Sequence, residues 1–126
     1  MTEYLSLDDA LLVARQFGFH VRDAGLLASA LARPATTVFG DDAYPSLDRK
    51  AAALLESVAR NHPFFDGNKR SAWTLMVAFL WLNGFAHDFD TDAAFDLVVG
   101  VAEGRHDLDE AERRIAEHRV PRPAAP

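Results

Sequence analysis

Apolar residues recur along the chain at intervals of three and four, in blocks separated by glycine, proline or aspartate, a period that predicts helices rather than strands. The first block places Leu7, Leu11, Ala14 and Phe17 on one face, with Ser6 and Asp9 spaced as a capping box before it and Gly18 as its stop. Asp23 caps a short second helix through about Leu31, which Pro34 ends by forcing the preceding residue out of the helical region. Ser46 caps a third, with Leu47, Ala51, Leu54, Leu55 and Val58 on one face, running to Arg60 or Asn61 before Pro63 breaks it. The fourth begins at Gly67 or Asn68 and stops at Asn83-Gly84. Its body, Ala72 to Leu82, is apolar all round, which predicts a central helix enclosed by the others. Thr91 caps a fifth, turning Ala94, Leu97, Val98 and Val101 inward. Asp107 caps a sixth, with Leu108, Ala111 and Ile115 on one face and Glu110 one turn from Arg114.

Between the second and third helices, Ala35 to Tyr44 has β-branched and aromatic residues without a helical period, and reads as an exposed loop or short hairpin. The tail from Pro121 to Pro126 cannot continue a helix and has little to bury, so disorder is expected there. Strand signals are nearly absent and no repeat is visible. The expected fold is all-α: a compact bundle of six helices over residues 1–120, followed by a free tail at 121–126.

Composition narrows the function. A chain of 126 residues with 49% hydrophobic content makes one domain. A formal charge of −6 argues against holding a polyanion, so direct nucleic acid binding is not expected. With no cysteine there is no disulfide, thiolate metal site or thiol nucleophile, which fits a reducing cytoplasm. The first residues lack the basic stretch of a secretory signal, and the apolar run from Ala72 is far short of the ~18 residues of a membrane span. A soluble, cytoplasmic protein is expected.

The candidate chemistry is concentrated in His62-Pro63-Phe64-Phe65-Asp66-Gly67-Asn68-Lys69-Arg70. The first N–H groups of a helix have no intrahelical partner, and the dipole there favours an anion. Gly67 gives a phosphate room to approach the backbone, while Asn68, Lys69 and Arg70 add donors and positive charge. Read alone, the same residues also make an ordinary turn and cap. His62 just upstream adds a base able to take a proton from an attacking hydroxyl. Asp66 adds a carboxylate suited to Mg²⁺ bridging nucleotide phosphates, or equally an N-cap for the helix that follows. Phe64 reads as an anchor for the turn.

This stretch resembles the signature of the Fic/Doc family, His-Pro-Phe-x-Asp/Glu-Gly-Asn-Gly/Lys-Arg, and agrees with it at every specified position. Members that transfer AMP carry glycine where Lys69 stands and a second arginine where this chain has Trp73. Lys69, the short length, the segment Arg22 to Pro34 and Tyr44-Pro45 are similar to the Doc branch, toxins of bacterial toxin–antitoxin pairs that are kinases of elongation factor Tu. The resemblance implies that His62 activates a threonine hydroxyl, Asp66 holds Mg²⁺, and Gly67, Asn68, Lys69 and Arg70 bind the phosphates of ATP; Arg60, two residues before the histidine, reads equally as a further phosphate contact or as an ordinary helix-end cation. It also implies that Thr36 to Tyr44 is a flap for docking the target, elongation factor Tu. Fic proteins that silence themselves carry Ser/Thr-x-x-x-Glu-Gly/Asn, and Val99 to Gly104 approaches this without the hydroxyl residue, which implies restraint by a separate antitoxin.

Three rival readings remain open. The same fold, base and metal serve AMP transfer. His87-Asp88 and His106-Asp107 with His62 suggest a helical metal-dependent phosphohydrolase, although both dipeptides fall between helices and suit caps. A non-catalytic module that keeps only the fold is a third, disfavoured by the intact His62 and Asp66.

Overall fold

The computed structural model describes residues 1–124 and contains six helices: α1 (Leu7–Phe17), α2 (Ala24–Ala32), α3 (Leu47–Asn61), α4 (Asn68–Leu82), α5 (Thr91–Ala102) and α6 (Leu108–His118). The all-α class is as expected, and the capping chemistry explains most boundaries. Ser6 Oγ accepts from the Asp9 N–H while Asp9 accepts from the Ser6 N–H, completing the capping box, and Gly18 closes α1 with φ 75°. Asp23, Ser46 and Asp107 cap α2, α3 and α6 as their spacing predicts. At α5 the expectation fails by one residue. Asp90 accepts from the Ala93 N–H, and Thr91 is the first helical residue.

The central position belongs to α3 rather than α4. Ten residues of α3 are buried and only six of α4, and α3 packs against α2, α4, α5 and α6. Ala51, Ala52, Ala53 and Ala59 let neighbouring helices come close on several sides, whereas Trp81 and Leu82 of α4 stay about half exposed. An unbroken apolar run overstated the enclosure of α4. The polar residues inside α3 are paired, as burial demands. Asp48 accepts from Arg119 at 2.7 and 3.2 Å, and Lys50, 1% exposed, donates to the Tyr44 carbonyl at 2.5 Å and to Asp42 at 3.1 Å.

Two small antiparallel pairs complete the fold. Strands β1 (Thr37–Val38) and β2 (Asp41–Asp42) form a hairpin in the expected flap segment. Its turn, Phe39 and Gly40, has φ 52° and 84°, the positive pair that a two-residue hairpin turn requires. Strands β3 (Phe85–His87) and β4 (Arg119–Pro121) pair Phe85 with Pro121 and His87 with Arg119. The tail is therefore held further than expected. Pro121 sits in β4, and Arg122 donates from its backbone to Gly84 at 2.9 Å and from its side chain to Trp81. Disorder predicted at 125–126 lies outside the described residues. Among those described, no helix is long and apolar enough to cross a membrane.

Candidate active site

Helices α3 and α4 meet in a tight turn, and the signature residues occupy it. His62 ends α3 in the left-handed conformation, φ 55° and ψ 58°, which non-glycine residues rarely adopt. The turn is held from below by Phe64, 1% exposed, which bridges to Val21 in the α1–α2 connection. Phe65 donates to the His20 carbonyl at 3.0 Å, and the N–H groups of Arg22 and Asp23 both donate to the Pro63 carbonyl, at 2.8 and 3.1 Å. The Arg22 guanidinium also donates through Nε to the His62 carbonyl at 3.0 Å, with a second contact from Nη2.

Gly67 is the N-cap of α4, with φ 69° and no side chain to offer the helix. Among the described residues the N–H groups of Asn68, Lys69 and Arg70 have no acceptor, and the first in the helix to find one is Ser71, bonded to the Gly67 carbonyl at 2.8 Å. Free N–H groups at the positive end of a helix dipole, beside two exposed cations, form an anion seat. Arg70 lies over the Phe19 ring at 5.8 Å, which fixes the direction of its side chain.

The Asn68 side chain is engaged within the turn. Its side-chain oxygen accepts from the Phe64 N–H and its nitrogen donates to the Phe64 carbonyl, both at 3.0 Å, so the amide staples the turn. That nitrogen also lies 3.4 Å from His62 Nδ1, where it steadies the ring. What Asn68 offers an anion is its backbone N–H. Asp66 is not the N-cap either. One carboxylate oxygen accepts from the Gly67 N–H at 2.7 Å and the other is free at the exposed edge of the turn. A lone carboxylate with a free oxygen suits Mg²⁺, which takes one or two protein carboxylates and completes its shell with phosphate oxygens and water.

His62, Asp66, Gly67, Asn68, Lys69 and Arg70 all line one open cleft of about 950 Å³. Its far wall is α5, through Thr91, Ala94, Phe95, Val98 and Ala102, and its rim carries exposed Phe17, Phe65 and Phe95. Trp73 lines the cleft too, set edge-on to His87 at 5.0 Å and Phe89 at 5.4 Å. Arg60 is not brought to this cleft. Its Nε donates to the Val101 carbonyl at 3.0 Å, and it lines a separate groove of about 590 Å³ with Arg33 and Glu56. Glu103, in the segment similar to the self-silencing motif, lines the main cleft but is turned to Arg105 at 3.7 Å.

The two His-Asp dipeptides have structural partners. Asp107 caps α6, His106 is buried against Gly100 and bonded to Asp96 at 3.2 Å, and Asp88 bonds His118 at 2.8 Å. Among the described residues no three His, Cys, Asp or Glu side chains converge to hold a metal, so a phosphohydrolase centre is not assembled. Sequence reasoning missed Arg22, Phe19 and Phe95. The first two act on the site through backbone and ring contacts, which no spacing rule reveals, and Phe95 belongs to the outward face of an otherwise inward-facing helix.

The signature residues thus form a glycine-capped helix N-terminus following a left-handed histidine, inside a helical bundle. The family model described as Fic/DOC family matches residues 2–80, and the chain belongs to that family. It is also 52% identical over 121 residues to Toxin Doc of Mycolicibacterium smegmatis, an alignment covering 92% of this chain and 93% of the relative.

Proposed function

We propose that the protein is the toxin of a bacterial type II toxin–antitoxin pair and acts in the cytoplasm as a protein kinase, moving the γ-phosphate of ATP to a threonine hydroxyl of elongation factor Tu and so blocking translation. The observation that carries the reading is the placement of His62 beside three free N–H groups and two exposed cations in one cleft. His62 takes the hydroxyl proton, the hydroxyl oxygen bonds to the γ-phosphorus, and the bond to the bridging oxygen breaks to release ADP. Lys69, Arg70 and the α4 N-terminus offset the charge that builds on the phosphate oxygens. Asp66 would hold Mg²⁺, which supplies charge neutralisation at the phosphates.

AMP transfer is the second reading, because an anion seat of this kind attracts α-, β- and γ-phosphates alike. Phosphate transfer is supported by Lys69 in place of glycine and by Trp73, whose indole fills the wall where AMP-transferring members carry a second arginine. Growth arrest on expression alone, relieved by a co-expressed antitoxin, tests the toxin role. Parallel reactions of elongation factor Tu with ATP labelled at the γ- or the α-phosphate test the chemistry. Label from the γ-phosphate is expected; label from the α-phosphate with the mass of AMP overturns the kinase reading.

A further inference from the structure

We infer that Arg22 is a positioning residue for His62, holding the proposed base in its left-handed conformation from the α1–α2 connection; the catalytic part of this inference rests on the function proposed above. A histidine at φ 55° is disfavoured by roughly 1–2 kcal/mol, because Cβ crowds the following carbonyl. Such a conformation persists only where the surroundings over-determine it. Here the side-chain part of that restraint on the His62 carbonyl is Arg22. Its Nε and Nη2 converge on the His62 carbonyl, while its own N–H and that of Asp23 grip the next carbonyl, Pro63. Two successive carbonyls are thereby fixed, which sets the plane of the peptide between them and the direction in which the His62 side chain leaves the backbone.

The Arg22 side chain is exposed, and among the described residues it forms no ion pair with a carboxylate. An exposed arginine free of a counter-ion ordinarily samples many rotamers, so its fork resting on a neutral carbonyl 40 positions away is a specific contact. Asn68 steadies the ring from the other side, at Nδ1, so the histidine is held at its backbone by Arg22 and at its ring by Asn68. Displacing a reacting group by about 1 Å costs on the order of 10²-fold in rate. Loss of Arg22 should therefore lower turnover without weakening nucleotide binding, which belongs to α4.

The test compares isotope-labelled wild type, Arg22→Ala and Arg22→Lys by nuclear magnetic resonance, melting temperature, Mg-ATP affinity and steady-state kinetics. For Arg22→Ala, the Cα and Cβ shifts and the backbone coupling of His62 should leave the left-handed range, while the signals of α4 and the affinity for Mg-ATP stay within twofold of wild type. The kcat should fall by roughly 10- to 100-fold at constant KM for ATP. Guanidinium ion should restore part of it, and Arg22→Lys, which keeps one donor, should lie between. Unchanged His62 signals in folded Arg22→Ala overturn the inference, and so does a joint fall of kcat, ATP affinity and melting temperature, the mark of a merely structural arginine. If Arg22→Ala does not fold, Arg22→Lys decides by the same readouts, with wild-type shifts and kcat overturning the inference. Should wild type transfer nothing from ATP to any protein, the function reading fails, while the His62 shifts still decide whether Arg22 holds the backbone.

Discussion

At His62 the side chain and the backbone make separate demands. The imidazole is the proposed base, yet the backbone stands where asparagine is better tolerated than most residues. His62→Asn is therefore a cleaner variant than His62→Ala. Turnover in either is expected to fall by ~10²–10⁴-fold, the usual share of general base catalysis, with circular dichroism and Mg-ATP affinity preserved. Near-normal turnover would remove His62 from the mechanism. Gly67 carries a complementary constraint. A Cβ there would meet the Phe19 ring at 3.6 Å, an ordinary contact, so space is not the obstacle; the φ of 69° is. Gly67→Ala should destabilise the fold by about 1–2 kcal/mol in chemical denaturation and weaken ATP binding by disturbing the free N–H groups. A variant as stable as wild type would show that the turn relaxes. These residues were legible in the sequence because their spacing is local. Arg22 was not, since its target is a carbonyl and a carbonyl has no letter in a sequence.

Among the elements, the flap hairpin depends on one buried cation. Lys50 in α3 reaches Asp42 on β2 and the Tyr44 carbonyl just beyond it, and with a longer contact of 3.5 Å to the Pro34 carbonyl these tie the hairpin to the centre of the bundle. Lys50→Met keeps the stem volume and removes the donors. The expected result is a loss of about 1–3 kcal/mol, as for buried carbonyls left without a partner, with faster proteolysis between Thr36 and Tyr44 and helix content intact. Wild-type protease resistance would mean that the hairpin holds itself. Helices were readable because caps and period agree, as at Ser6 with Asp9. The β1–β2 hairpin falls where a loop or short hairpin was expected, but the β3–β4 pair was not readable, being three residues a side and formed by partners such as His87 and Arg119 that lie far apart in sequence. The choice of α4 as the centre failed for a physical reason: apolarity marks what can be buried, while the small alanines of α3 decide what is surrounded.

For the molecule as a whole, acid is the expected weakness. Burial pulls His87 below its ordinary 6.5, so the unfolded chain binds more protons than the fold as pH drops through that value. Hydrogen bonds from His106 and Arg105 hold Asp96 below 3.8, and Arg113 draws Glu110 down to about 2. Both effects have one sign. The melting temperature should begin to fall just below pH 6.5 and fall further below pH 4.5, as the carboxylates that the fold keeps ionised become protonated in the unfolded chain. A flat profile from pH 7 to 4 would contradict this. The corner where α4 ends has a practical consequence. Asn83 exchanges two hydrogen bonds with the Glu3 backbone, each at 2.8 Å, and Gly84 accepts from Arg122, so the backbones at Glu3 and Arg122 meet at this corner. Fifteen residues of α4 separate that corner from the anion seat, roughly 22 Å at the helical rise. Fluorophores or surface tethers carried near Glu3 or Arg122 would therefore stand clear of the cleft and report on the fold without obstructing it.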